Sequence, residues 1–123
     1  KLKYLDAENS KRREVAKYYH NHINNPEIIL PEIISGNADS HVWHLYVIRT
    51  ERRGELKEYL EKNDVQTVIH YPIPPHKQEC YGKFNNLKLE ITEKIHREVL
   101  SLPISPVLDD KDLVRIVNLI NLF

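Results

Sequence analysis

Seven histidines and one cysteine are the side chains that first raise metal ligation or nucleophilic catalysis here. The histidine spacing speaks against a metal centre. His41 and His44 lie three apart in a stretch with strand patterning, where side chains alternate faces, and His20 and His22 lie two apart on a helix, where they diverge. His70 and His76 converge only through the proline run between them, and no carboxylate or thiolate at ligand-like spacing completes a set. His76 sits four residues before Cys80, a spacing at which an imidazole could serve a thiol as base. No orienting group or glycine-rich helix start stands near to cradle an oxyanion, so a small half-buried thiol is the simpler reading. Three glycines also leave no phosphate-cradling loop of the Walker or dinucleotide-binding kind.

The informative stretch is His70-Tyr71-Pro72-Ile73-Pro74-Pro75-His76-Lys77-Gln78-Glu79-Cys80-Tyr81. It packs hydrogen-bonding and aromatic side chains onto the exit of a strand, and its prolines reduce the entropy lost on ordering. Two readings fit: a loop built to hold a ligand, or a rigid turn whose tyrosines pack on the core.

The flanking sequence predicts the elements that position this stretch. Residues 1 to about 23 read as an amphipathic helix with Ala16, Tyr19 and Ile23 on one face, ended by Asn24-Asn25-Pro26. Residues 28–40, with Pro31, Gly36 and Asn37, read as an irregular connection with one short extended piece. His41-Val42-Trp43-His44-Leu45-Tyr46-Val47-Ile48 predicts a buried strand with Trp43 and Leu45 on one face, beneath helices carrying Leu56, Leu60, Ile116 and Ile120. Thr50 offers a cap for a helix over about 52–62, and Asn63-Asp64 stops it. Residues 65–71 alternate as a second strand, which must leave the sheet at Pro72, Pro74 and Pro75 because proline cannot donate to a ladder. Residues 76–81 suggest one helical turn closed by Gly82, with loop over 85–90. Ile91, Ile95 and Val99 then mark the apolar face of a helix whose wet side carries Glu93, Lys94, Arg97 and Glu98. Leu100-Ser101-Leu102-Pro103 reads as a third strand, and Asp109-Asp110 caps a last helix with Leu113, Ile116, Val117 and Ile120 inward. The order is α, β, α, β, α, β, α, without repeats, low-complexity tracts or linkers.

Composition sets the remaining bounds. One hundred and twenty-three residues make one domain, and 41% hydrophobic with 29% charged residues is ordinary globular composition. Eighteen basic against eighteen acidic side chains give zero formal charge, so no basic field exists to hold nucleic acid or an anionic membrane. No apolar run approaches the roughly 20 residues that span a bilayer. The single cysteine cannot form an internal disulfide and fits a reducing compartment, with the cytoplasm as the default location. There is no methionine, and Lys1 already lies in helical patterning, so the chain is expected to be a piece of a longer protein.

The run Thr67-Val68-Ile69-His70-Tyr71-Pro72-Ile73-Pro74-Pro75-His76-Lys77-Gln78-Glu79-Cys80-Tyr81 closely resembles the C-terminal part of the sugar aminotransferases of the DegT/DnrJ/EryC1/StrS family, pyridoxal-phosphate enzymes that aminate nucleotide-linked keto-sugars. Leu5-Asp6-Ala7-Glu8-Asn9-Ser10-Lys11-Arg12-Arg13, His41-Val42-Trp43-His44-Leu45-Tyr46-Val47-Ile48 and Val99-Leu100-Ser101-Leu102-Pro103 resemble the same family in the same order. The resemblance implies an α/β (α+β sandwich) fold over residues 1–123, the small C-terminal domain of a fold type I aminotransferase. It would have a short, mainly antiparallel sheet covered by helices, with residues 1 to about 23 as the helix leaving a large cofactor-binding domain. It places the Schiff-base lysine and most of the pyridoxal phosphate pocket in that missing domain, so no lysine here takes that role. His70, Tyr71 and His76 are the implied contacts to a nucleotide-sugar or its pyrophosphate, suited by imidazole and phenol donors to anionic oxygens.

The implied reaction is ping-pong transamination from an amino acid, glutamate, to a keto-sugar in amino-sugar or polysaccharide biosynthesis. The wording of residues 73–78 looks most like members acting on dTDP-linked 3-keto-6-deoxyhexoses, with 4-keto and UDP-linked branches as alternatives. A homodimeric parent is also implied. Without the resemblance, a non-catalytic α/β ligand-binding or regulatory module fits the same residues, since fold alone does not fix function. On the aminotransferase reading, this chain incubated with pyridoxal phosphate and then dialysed is expected to retain no bound-cofactor absorbance. A retained band in a folded sample would contradict it.

Overall fold

The computed structural model describes residues 2–34 and 36–123. Two four-residue strands lie at its centre, β1 (Tyr46–Arg49) and β2 (Val99–Leu102), paired antiparallel with Tyr46 opposite Leu102 and Arg49 opposite Val99. Each outer edge carries one further antiparallel bridge. Ile29 exchanges both backbone bonds with Arg49, at 2.8 and 2.9 Å. Val68 does the same with Ser101, at 3.3 and 2.8 Å. The order across the sheet is therefore Ile29, β1, β2, Val68. β2 is buried along its whole length, as its nearly continuous apolar run requires.

Among the described residues, four α-helices surround the strands: α1 (Leu5–His22), α2 (Arg53–Lys62), α3 (Glu90–Glu98) and α4 (Asp110–Leu122). α1 buries Val15, Ala16 and Tyr19, and the Tyr19 hydroxyl donates to the carbonyl of Pro103 at 2.7 Å. Its ring lies 5.0 Å from that of Tyr46, and burial pushes both phenols well above their usual pKa. Leu56 and Leu60 of α2 are buried, and Asp64 ends that helix in the left-handed region at φ 56°. Thr50 lies two residues before the Arg52 cap position, its Oγ1 accepting from the Arg52 N–H at 3.2 Å. Asp109 caps α4 by accepting from the Lys111 N–H at 2.7 Å, and Leu113, Ile116, Val117 and Ile120 face the core. Among the described residues, no helix is long and apolar enough to cross a membrane.

Three expectations are corrected. The strand expected over 41–48 begins only at Tyr46, because Trp43 takes the left-handed region at φ 52°. The Trp43 N–H donates to His41 Nδ1 at 2.9 Å, and the turn swings the indole inward against His41 and Tyr46, with ring centroids 4.2 and 5.3 Å away. Trp43 is thus buried without belonging to a strand, Leu45 is only half-buried, and Tyr46 and Ile48 are the inward pair of β1. Residues 65–71 keep the alternation, with Val65 and Thr67 buried and Gln66 and Val68 exposed, but a single bridge is all the pairing they make.

The face of α3 is kept only in part: Lys94 and Arg97 face solvent and Val99 is buried, as expected. Ile91 and Ile95 are exposed, whereas Glu98 is 4% exposed. The Arg49 guanidinium explains this: Nε and Nη2 both donate to Glu98 Oε2, at 3.0 and 2.7 Å, and Lys94 Nζ lies 3.6 Å from Oε1. A carboxylate enters a protein interior when it is paired in this way.

In urea unfolding, Trp43→Ala is expected to cost about 3–5 kcal/mol, as for other buried large aromatics. Ile91→Ala is expected to stay within about 0.5 kcal/mol. Comparable losses would contradict the assignment of the α3 face.

Candidate functional site

The segment that leaves the sheet at Val68 is fastened residue by residue. His70 Nδ1 lies 2.9 Å from the hydroxyl of Ser101 on β2. The carbonyl of Tyr71 accepts from His96 Nδ1 of α3. The peptide between His70 and Tyr71 is cis, and their rings meet edge-on with centroids 5.4 Å apart. Pro74 and Pro75 lead into a 3-10 turn, Pro75–Lys77, which carries His76 into the interior at 6% exposure. There His76 Nε2 lies 3.0 Å from Glu93 Oε1 of α3.

That same Glu93 oxygen accepts the Leu89 N–H at 3.2 Å, at the start of α3. The bond from His76, then the one from Leu89, with Lys77 Nζ at 3.8 Å, hold the Glu93 carboxyl below the usual carboxylate range. Lys77 donates to the carbonyls of Asn85 and Leu87, at 2.7 and 3.0 Å, and so ties down the chain that follows. A second 3-10 stretch runs from Glu79 to Phe84, past Gly82 where the turn was expected to close.

The three residues singled out in the sequence therefore fare differently. His70 and Tyr71 are brought together at the end of the bridged segment, His70 half-buried and Tyr71 66% exposed. His76 is drawn inward by Glu93, and its Nδ1 is buried without a hydrogen-bond partner. Cys80 is exposed, with Sγ 3.9 Å from Gln78 Oε1, while the imidazole expected as its base is engaged with Glu93. An open, mainly apolar cavity lies elsewhere, lined by Ala16, Lys17, Ile33 and Trp43, and takes in none of the residues of the 70–76 segment.

Ser101, Glu93 and His96 are the residues that sequence reasoning passed over. A signal existed for each of them. Ser101 is a lone hydroxyl in an apolar strand, and buried polar groups have partners. Glu93 and His96, three apart, share one helix face. As for pyridoxal phosphate, the cofactor needs a free amine for its aldehyde, and the one amine of this segment, Lys77, is spent on two carbonyls. The segment does not fit the cofactor; what it presents is a half-buried imidazole, His70, beside an exposed phenol, Tyr71.

A model of the DegT/DnrJ/EryC1/StrS aminotransferase family matches residues 1–121. The chain belongs to this aminotransferase family. A curated member, the dTDP-3-amino-3,6-dideoxy-alpha-D-galactopyranose transaminase of Aneurinibacillus thermoaerophilus, is 49% identical over 121 residues, covering 98% of this chain and 33% of that protein. Among solved structures, DesV of S. venezuelae superposes with a TM-score of 0.87 at 33% identity, over 98% of this chain and 33% of its own. NtdA of Bacillus subtilis, solved with bound cofactor PMP, gives 0.85 at 34% identity, over 97% of this chain and 29% of its own. The chain thus spans about a third of the length of these relatives. Its small antiparallel sheet and helices match the corresponding portion of the aminotransferase fold.

In this family member, Glu93 ties stability to acid pH. Its carboxyl is lowered in the folded chain, so its contribution is present above the unfolded value of about 4.3 and is lost as pH falls through the lowered folded value. Glu93→Gln is expected to flatten the acid limb of the urea midpoint plotted against pH. An unchanged acid limb would contradict the His76–Glu93 link.

Proposed function

We propose that this chain is the C-terminal domain of an aminotransferase that moves an amino group from an amino acid, glutamate, to a nucleotide-linked keto-sugar, with His70 and Tyr71 as its contacts to the nucleotide-sugar. The observation that carries the reading is the fastening of these two residues. His70 is held through Ser101 and Tyr71 through His96, while the Tyr71 side chain stays open to solvent. Two pre-positioned donors lose little entropy on binding an anionic oxygen, which is the use a rigid proline segment best serves.

His76 acts one step back. Through Glu93 it anchors the turn that follows the prolines, and it shapes the segment. Pyridoxal phosphate, when bound, supplies the electron sink and carries the amino group between the two substrates. In this proposal it is held by the rest of the protein, in a cytoplasmic homodimer.

The 49% identical relative is named for a dTDP-linked 3-amino-3,6-dideoxy sugar, which supports a dTDP-linked 3-keto-6-deoxyhexose as the amine acceptor here. The bound PMP of the Bacillus subtilis structure supports pyridoxal phosphate as the cofactor.

The test uses the full-length protein and follows the two half-reactions separately by the cofactor's absorbance. His70→Ala and Tyr71→Phe are each expected to lower keto-sugar turnover efficiency about ten- to a hundred-fold, the worth of a hydrogen bond to a charged group at about 1.5–3 kcal/mol. Amine loading from glutamate is expected to stay nearly intact. His76→Ala is expected to lower the stability of the domain instead of selecting one half-reaction. Equal loss in both half-reactions for His70→Ala, or no loss in either, would refute the assignment.

A further inference from the structure

A histidine that donates to a ligand must carry its proton on the nitrogen that faces the ligand, and the surroundings of His70 determine which nitrogen that is. Ser101 is 5% exposed, and among the described residues its hydroxyl has one hydrogen-bond partner, His70 Nδ1 at 2.9 Å. Its backbone is already committed: the N–H donates to the Val68 carbonyl at 2.8 Å, and its carbonyl accepts from the Val68 N–H at 3.3 Å. A hydroxyl has one hydrogen to donate, and a buried donor without an acceptor is costly. If Nδ1 carried the imidazole proton, the Ser101 oxygen would accept it, and the Ser101 hydrogen would be left with no acceptor. If Ser101 donates to Nδ1, both groups are satisfied.

We propose that Ser101 is a positioning residue that donates its hydroxyl hydrogen to His70 Nδ1, holds the proton of the neutral imidazole on Nε2, and so makes Nε2–H the donor presented to an anionic oxygen of the ligand. The ligand part rests on the function proposed above; the tautomer stands on this geometry alone. His96 provides the opposite case in the same molecule. Its Nδ1 meets the carbonyl of Tyr71, which can only accept, so there the proton sits on Nδ1. The two imidazoles flanking the His70–Tyr71 unit thus hold opposite tautomers, each set by its partner.

Long-range proton–nitrogen NMR of this chain at about pH 8, where an ordinary imidazole is neutral, reads the tautomers directly, with His70→Gln and His96→Gln assigning the signals. The expected result is His70 with an acceptor-type Nδ1 and an N–H-type Nε2, and His96 with the reverse. Ser101→Thr is expected to keep the His70 pattern, and Ser101→Ala to move it toward a mixture. A protonated Nδ1 on His70 in the unsubstituted chain overturns the proposal, whether or not the variants fold. So does an unchanged pattern in folded Ser101→Ala.

In the full-length protein, the amide nitrogen of His70→Gln falls near the place of Nε2 and that of His70→Asn near the place of Nδ1. Keto-sugar turnover efficiency is expected to be at least about tenfold higher for Gln than for Asn. The reverse order overturns the proposal. Full activity in both, with the NMR pattern as expected, would remove the nucleotide-sugar contact and leave the Ser101 assignment standing.

Discussion

β2 is bonded along both edges, and the placement of the candidate site follows from that. On one side it pairs with β1, and on the other Ser101 gives both of its backbone groups to Val68. In an antiparallel pair, residues directly opposite each other point to the same face, so Val47, Ser101 and Val68 share a face while Leu100, Leu102, Tyr46 and Ile48 take the other. His70, two residues beyond Val68, returns to the face of Ser101 and lies diagonally within reach of its hydroxyl. A slip of one residue in this bridge would turn His70 away from Ser101.

The same strand also orients α3. The helix ends at Glu98 and β2 starts at Val99, with no loop between them, so the direction of the helix is tied to the register of the strand. The Arg49–Glu98 pair strengthens the junction from the β1 side, and the Glu98 carbonyl accepts the Thr50 N–H at 3.1 Å. Arg53 adds a bond from Nη1 to the carbonyl of His96 at 2.6 Å. With α3 fixed at this end, Glu93 and His96 stand at set positions along one face, one holding His76 and the other Tyr71. The contacts that hold the His70 ring, the Tyr71 carbonyl and the His76 ring therefore all come from the continuous unit α3–β2.

Local pattern made much of this legible. The faces of α1, α2 and α4 follow from apolar spacing because each helix packs one stripe against the strands, and the alternation of 65–71 survives even where pairing shrinks to one bridge. The family resemblance pointed to His70, Tyr71 and His76 but not to how they differ. That difference lies in partners far along the chain, Ser101 and Glu93, which no local window contains. The errors have the same origin. Glu98 is buried because Arg49, forty-nine residues away, neutralises it, and Trp43 leaves the strand because its indole is better satisfied against Tyr46 than a ladder would allow. Periodicity assigns a charged residue to solvent and an aromatic, β-branched run to a strand, and in both places a long-range contact outweighs it.

Native-state hydrogen exchange of the backbone amides of Val68 and Ser101 tests most directly whether this single bridge holds the segment to β2. The two bonds across the bridge are expected to protect both amides through the same opening that exposes the β1–β2 ladder, with protection approaching the global stability of the chain. Rapid, loop-like exchange at Val68 and Ser101, with the ladder amides of β1 and β2 still protected, would show that residues 65–71 are not anchored to the sheet and would contradict the placement of His70 beside Ser101.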